Sequence, residues 1–122
     1  MPLSYTVDPT QRLITISGEY ADAEEWKALL AKVLHDPRRD PGFNFLRDLR
    51  TATTPVDAAT VVSLMEVVRR FWPMLQPGRA AVLTPLEFDS AALAAYAIAE
   101  AEGMPMRVFS SYDDAVEWLQ GT

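Results

Sequence analysis

Hydrophobic and polar positions change period several times along this chain, and each change marks an element. Residues 4–7 alternate weakly and predict a short strand. Residues 12–17, R-L-I-T-I-S, alternate more strongly, are β-branched and predict a second strand. Asp8-Pro9-Thr10-Gln11 between them is a turn, because Pro9 fixes φ and Asp8 can bond its own backbone two residues on. A hairpin or a closely related antiparallel start follows, and Gly18 ends it. The period then lengthens. Trp26, Leu29, Leu30, Val33 and Leu34 fall on one helical face. Asp22 and Glu25 stand at capping-box spacing before it, and His35-Asp36-Pro37 stops it.

After the solvated loop 38–42, residues 43–49 read as a strand that runs into an acid, Asp48. A Thr-rich turn follows. Thr54 is expected to cap a second helix over 56–72, with Pro55 at the first helical position, where its missing N–H costs nothing. Pro73 is expected to end it, and Pro77-Gly78 to turn the chain. Residues 79–84, R-A-A-V-L-T, form a nearly continuous apolar run of the kind found inside parallel sheets. An alanine-rich helix over 88–102 closes at Gly103, and 106–109 is the last strand. Ser111 is placed to cap a final helix, with Asp113 and Asp114 in its first turn and Ala115, Trp118 and Leu119 on its apolar face. The order β-β-α-β-α-β-α-β-α predicts a single α/β domain, residues 1–122, with about five strands, mostly parallel, and the first antiparallel.

Composition narrows the function classes. A chain of 122 residues is one domain by length and buries roughly two-thirds of its unfolded surface. Its net charge of −6, from 17 acids and 11 bases, argues against nucleic acid as a partner and limits membrane contact to the periphery. It has no cysteine, which excludes disulfides and thiol nucleophiles and fits a cytoplasmic location. The Met1-Pro2-Leu3 opening lacks signal-peptide regions, and no apolar run approaches the ~20 residues that span a bilayer.

The segment F-N-F-L-R-D-L-R-T-A-T-T-P, residues 43–55, is the first place to look for chemistry, since strand ends in open α/β sheets gather ligands. It has no Gly-rich cradle, and no H-E-x-x-H spacing occurs elsewhere, so no cofactor or metal is expected. Alternation puts Phe43, Phe45, Arg47 and Leu49 on one face, and Asn44, Leu46, Asp48 and Arg50 on the other. Asp48 is expected to organise the turn by accepting backbone N–H groups. Pairing with Arg47 or Arg50, or a place at a ligand pocket, remain alternatives. Thr51, Thr53 and Thr54 could offer donors to an anion before a helix, though ordinary capping explains Thr54. His35, the single histidine, has a local role at a helix end and no evident nucleophile or metal partner.

The second helix is apolar nearly all round. Val61, Leu64, Met65, Val68 and Trp72 make one face, while Val56, Ala59, Val62, Val67 and Phe71 spread hydrophobicity over the rest. Core packing, a dimer interface and one wall of an apolar cleft all fit. The third helix is rich in small residues and carries Tyr96 as a polar-tipped aromatic.

Three stretches carry a resemblance: L-I-T-I-S-G at 13–18, L-R-D-L-R at 46–50 and R-V-F-S-S-Y-D-D-A-V-E-W-L at 107–119. Together they resemble the bacterial SpoIIAA-like proteins, which share the STAS fold of anti-sigma-factor antagonists. The resemblance implies a binding or regulatory module, not an enzyme. The antagonists carry a phosphorylatable serine in an Asp-Ser-Ser/Thr-Gly segment. Here Leu49, Arg50 and Thr51 follow Asp48, so that switch is not expected. Fold kinship with CRAL-TRIO lipid-transfer domains implies a hydrophobic ligand or membrane association. The expected function is therefore a module that binds an apolar or amphipathic small molecule or lipid between the second and third helices. Val62, Met65, Trp72, Phe88 and Tyr96 are its candidate lining, and Asp48, Thr51 and Thr53 form a candidate regulatory turn. The alternative is a protein-interaction module, self-associating as a homodimer through the second helix.

Overall fold

The first two strands, β1 (Ser4–Asp8) and β2 (Leu13–Ser17), pair antiparallel, with Ser4 opposite Ser17 and Asp8 opposite Leu13. The computed structural model describes residues 3–19, 22–52, 57–76, 78–85 and 90–121. Asp8 closes the hairpin as its turn chemistry predicts: its Oδ1 accepts the N–H groups of Thr10 and Gln11 at 3.0 and 3.1 Å. Three strands then add in parallel, β3 (Asn44–Asp48), β4 (Ala80–Leu83) and β5 (Met106–Phe109). The helices are α1 (Ala23–Leu34), α2 (Ala58–Leu75), α3 (Ser90–Ala101) and α4 (Tyr112–Leu119).

The sheet order is β1-β2-β3-β4-β5, so each crossover steps one strand in the same direction. Right-handed connections then put α1, α2 and α3 on one face. Ile14 and Ile16 pack there with Leu29, Leu30 and Val33 of α1. Leu13, Leu46, Ala81 and Leu83 point the other way and meet Ala115 and Leu119 of α4. The period of two along each strand assigns these faces. α4 packs over β3, β4 and β5. On β1 and β2 the same face carries Ser4, Thr6, Thr15 and Ser17, polar residues that need no cover.

Asp22 caps α1 by accepting Glu25 N–H at 2.8 Å, and Ser111 caps α4 by accepting Asp114 N–H at 3.3 Å. α2 departs from expectation at both ends. Its cap is Asp57, in extended backbone, whose Oδ1 accepts Thr60 N–H at 2.8 Å, so the helix starts at Ala58. Aspartate caps at least as well as threonine. Thr54, Pro55 and Val56 lie outside the described residues. At the far end Pro73 sits inside the helix, which runs on to Leu75. Proline removes one ladder bond there. Burial of Leu75 in the core beneath α1 offsets that loss. Gln76, at φ 47°, ends the helix in left-handed geometry. The turn that follows needs glycine at Gly78, where a Cβ would sit 2.5 Å from Asn44 Oδ1 and 2.7 Å from the Gly42 carbonyl oxygen.

Among the described residues no helix is long and apolar enough to cross a membrane.

Candidate functional site

β3 sends two charged neighbours to opposite faces of the sheet. Arg47 follows Phe43 and Phe45 onto the three-helix face, where Phe43 is buried and Phe45 partly so. Backbone carbonyls at the C-terminal ends of the strands hold it. Its Nη1 donates to Ile16 and Asp48, both at 3.3 Å, and its Nη2 to Gly18 at 3.2 Å and Glu19 at 3.1 Å. These are longer than the ~2.7–2.9 Å of strong charge-assisted bonds. The guanidinium lies over the Trp26 ring of α1, 5.6 Å from its centroid. The Trp26 indole N–H is itself buried without a hydrogen-bond partner among the described residues. A donor left so costs about 1–3 kcal/mol.

Arg47 and Trp26 border two adjoining cavities beneath α2. The larger, about 100 Å³, is walled by Leu64, Met65 and Val68 of α2, Leu49 and Val82 of the β3–β4 region, Ala92 and Ala95 of α3, and Met106. The smaller, about 70 Å³, shares Trp26, Arg47, Val68, Val82 and Met106 and extends toward Trp72, Leu75 and Phe45. The space follows from the side chains on α3. Alanines on its inner face reach only a short way toward Met65 and Leu64, while Ala99 further along packs closely with Val61, Met65 and Met104.

The expected lining residues fall in different places. Met65 borders the larger cavity and Trp72 the smaller. Val62 is 57% exposed, because the inward stripe of α2 is Val61, Met65, Val68 and Trp72, and Val62 lies a quarter-turn away. Tyr96 is half-buried and borders neither cavity, since its neighbour Ala95 takes the inward position. Phe88 lies outside the described residues. Sequence reasoning missed Trp26, Arg47, Val68, Val82 and Met106 as lining. One signal was available: Arg47 is a cation on the same alternating face as Phe43, Phe45 and Leu49.

Asp48 emerges on the α4 face and makes a local closed pair. Its Oδ1 accepts Arg50 N–H and Nε–H, both at 3.0 Å, and its Oδ2 accepts Arg50 Nη2–H at 2.9 Å. The side-chain bonds from Arg50 hold the Asp48 carboxyl below its ordinary range, against the opposing effect of partial burial. Arg50 in turn lies over Tyr112, 5.2 Å from the ring centroid. Asp48 therefore organises its turn and stands away from the cavities. Thr51 is exposed, and Thr53 lies outside the described residues. His35 is exposed at the end of α1, its backbone N–H donating to Ala31. Among the described residues no three His, Asp or Glu side chains gather as metal ligands.

The sequential strand order has a further consequence. A sheet whose crossovers never reverse has no topological switch point, the usual ligand crevice of open α/β sheets. The available space lies under α2 instead. Comparisons of the chain with protein-family models, curated proteins and solved structures return no match.

Proposed function

We propose that this chain is a non-enzymatic binding module of the SpoIIAA-like, STAS-fold type, taking one small apolar or amphipathic molecule into the space beneath α2. The observation that carries this reading is a pair of adjoining cavities whose lining, among the described residues, is apolar apart from Arg47. Ligand sites are mostly apolar with a few placed polar groups, and an apolar void stays dry until an apolar body fills it. Among the described residues the lining offers no hydroxyl nucleophile and no histidine or carboxylate base, which favours binding over catalysis. The mixed sheet and element order accord with the SpoIIAA-like resemblance of the sequence.

Native mass spectrometry of gently purified protein, paired with a thermal-shift screen of fatty acids and lipids, tests it. A bound species or a clear rise in Tm is expected. No adduct and no shift across the screen would overturn it.

Exposed side chains on the outer surface of α2 and α3 favour a second reading. Val62, Met74 and Leu93 are 57%, 51% and 44% exposed. Self-association through α2 would cover Val62. Light scattering that finds a monomer at high concentration, unchanged by Val62→Glu, would remove it.

A further inference from the structure

We infer that the space beneath α2 sorts ligands by the size of an apolar body and not by a head group, the body being about six to eight carbon atoms and Met65 and Ala95 setting the limit. The inference rests on the reading that these cavities take a ligand.

The indifference to a head group follows from the wall. The surface bordering the two cavities is almost wholly apolar. Its two polar residues change little. Arg47 carries its guanidinium to the C-terminal ends of the strands, where it donates to the carbonyls of Ile16, Gly18, Glu19 and Asp48. The cavities therefore meet mainly its stem. The Trp26 indole N–H is buried and closed off from the space. A charge or hydroxyl drawn inside would lose its hydration and gain no partner, and such burial is costly. Among the described residues neither cavity is sealed, so the head of an amphiphile can stay in water while its body enters.

The size limit follows from the space and from two side chains. Cavities of about 100 and 70 Å³, which share Val68, Val82 and Met106, are together of the scale of the ~150 Å³ apolar cavity that takes benzene. On α3, Ala95 stops short and leaves the larger one open, while Met65 of α2 occupies part of the same space from the other side. Each methylene that enters leaves water and adds affinity. Methylenes beyond the limit stay in water and add none. A two-chain phospholipid is far too large.

Titration calorimetry of the intact chain with the even-numbered 1-alkanols from butanol to decanol, and with the carboxylates of equal length, tests the inference. ¹H–¹³C NMR of the Met65 and Met106 methyl groups, which border the larger cavity, places the ligand. Affinity is expected to rise about fourfold per carbon and to level off near six to eight carbons. Each alcohol is expected to bind at least as tightly as its acid. Met65→Ala is expected to move the plateau out by about two or three carbons. Ala95→Leu, which fills the space, is expected to lower octanol affinity at least about tenfold. An acid that binds about tenfold more tightly than its alcohol would overturn the inference and leave the cavity reading standing. So would affinity that climbs unchecked to decanol. So would a plateau unmoved in a folded Met65→Ala, or octanol affinity unmoved in Ala95→Leu where Met65→Ala does not fold. No binding by any probe, or binding that leaves both methyl resonances unmoved, would overturn the cavity reading and the inference together.

Discussion

The two faces of the sheet are packed to different standards. On one, the short helix α4 sets Ala115 and Leu119 against Leu13, Leu46, Ala81 and Leu83, and Leu46, Leu83 and Ala115 are fully buried. On the other, three helices cover the strands and leave two cavities beneath the middle one. More cover has produced a poorer fit. α4 makes its main contacts with the sheet and can settle onto it. α2 is gripped by α1 on one side and α3 on the other, so its height above the sheet answers to three sets of contacts at once. Protein interiors are ordinarily filled to crystal-like density. A face that departs from that density, and has a cation on its wall, is where a ligand has room.

Substitutions of matched kind on the two faces test this contrast, and the largest effect belongs to the packed one. Leu46→Ala should cost about 2–5 kcal/mol in urea unfolding, since nothing around it can relax into the void. Met65→Ala should fall at the lower end of that range, about 2 kcal/mol, because one side of Met65 already faces empty space. A loss at Met65 equal to that at Leu46 would break the comparison. Overpacking sharpens it from the other direction. Ala115→Leu should cost about 1–3 kcal/mol or more, whereas Ala95→Leu should change stability by less than about 1 kcal/mol and abolish any thermal shift given by the fatty-acid screen.

A smaller, pH-dependent effect belongs to the polar edge of the three-helix face. The Asp36 side chain, held by Arg38 and by Tyr5 of β1 at 2.9 Å, has its carboxyl pulled well below the ordinary 3.8, chiefly by the Arg38 side chain. A depressed carboxylate contributes stability that is fully present above the unfolded value and is lost as pH falls through the folded one. Asp36→Asn should therefore lower Tm at pH 7, and the gap to the unaltered protein should close as pH drops below about 4. Thermal melts across pH 2–7 would read this, and a gap that widens in acid would contradict it. The smallest effect is expected at Val62→Glu, within about 0.5 kcal/mol, since the position is exposed.

Much of the fold was legible because its signals are local. Asp22 and Ser111 cap the helices they precede, and alternation alone sorted Phe43, Phe45 and Arg47 from Asn44, Leu46 and Asp48. The ends of α2 were not legible. Three capping residues, Thr53, Thr54 and Asp57, precede it, and Pro73 reads as a stop unless Leu75 is known to be buried. On α2 and α3 hydrophobicity runs nearly all round, so it could not say that Val61 and Ala95 turn inward while Val62 and Tyr96 do not.

By itself the sequence determined the order of elements, the parallel sheet with its antiparallel first strand, and the presence of a cation on an otherwise apolar strand face. Each of these depends on spacing within a few residues or on the handedness of a single crossover. Tertiary structure decided that Arg47 of β3 lies over Trp26 of α1, and that α2 stands off the sheet with space below it. A cavity is set by the mutual distances of four or five elements, each placed by contacts elsewhere, and no local pattern records that sum.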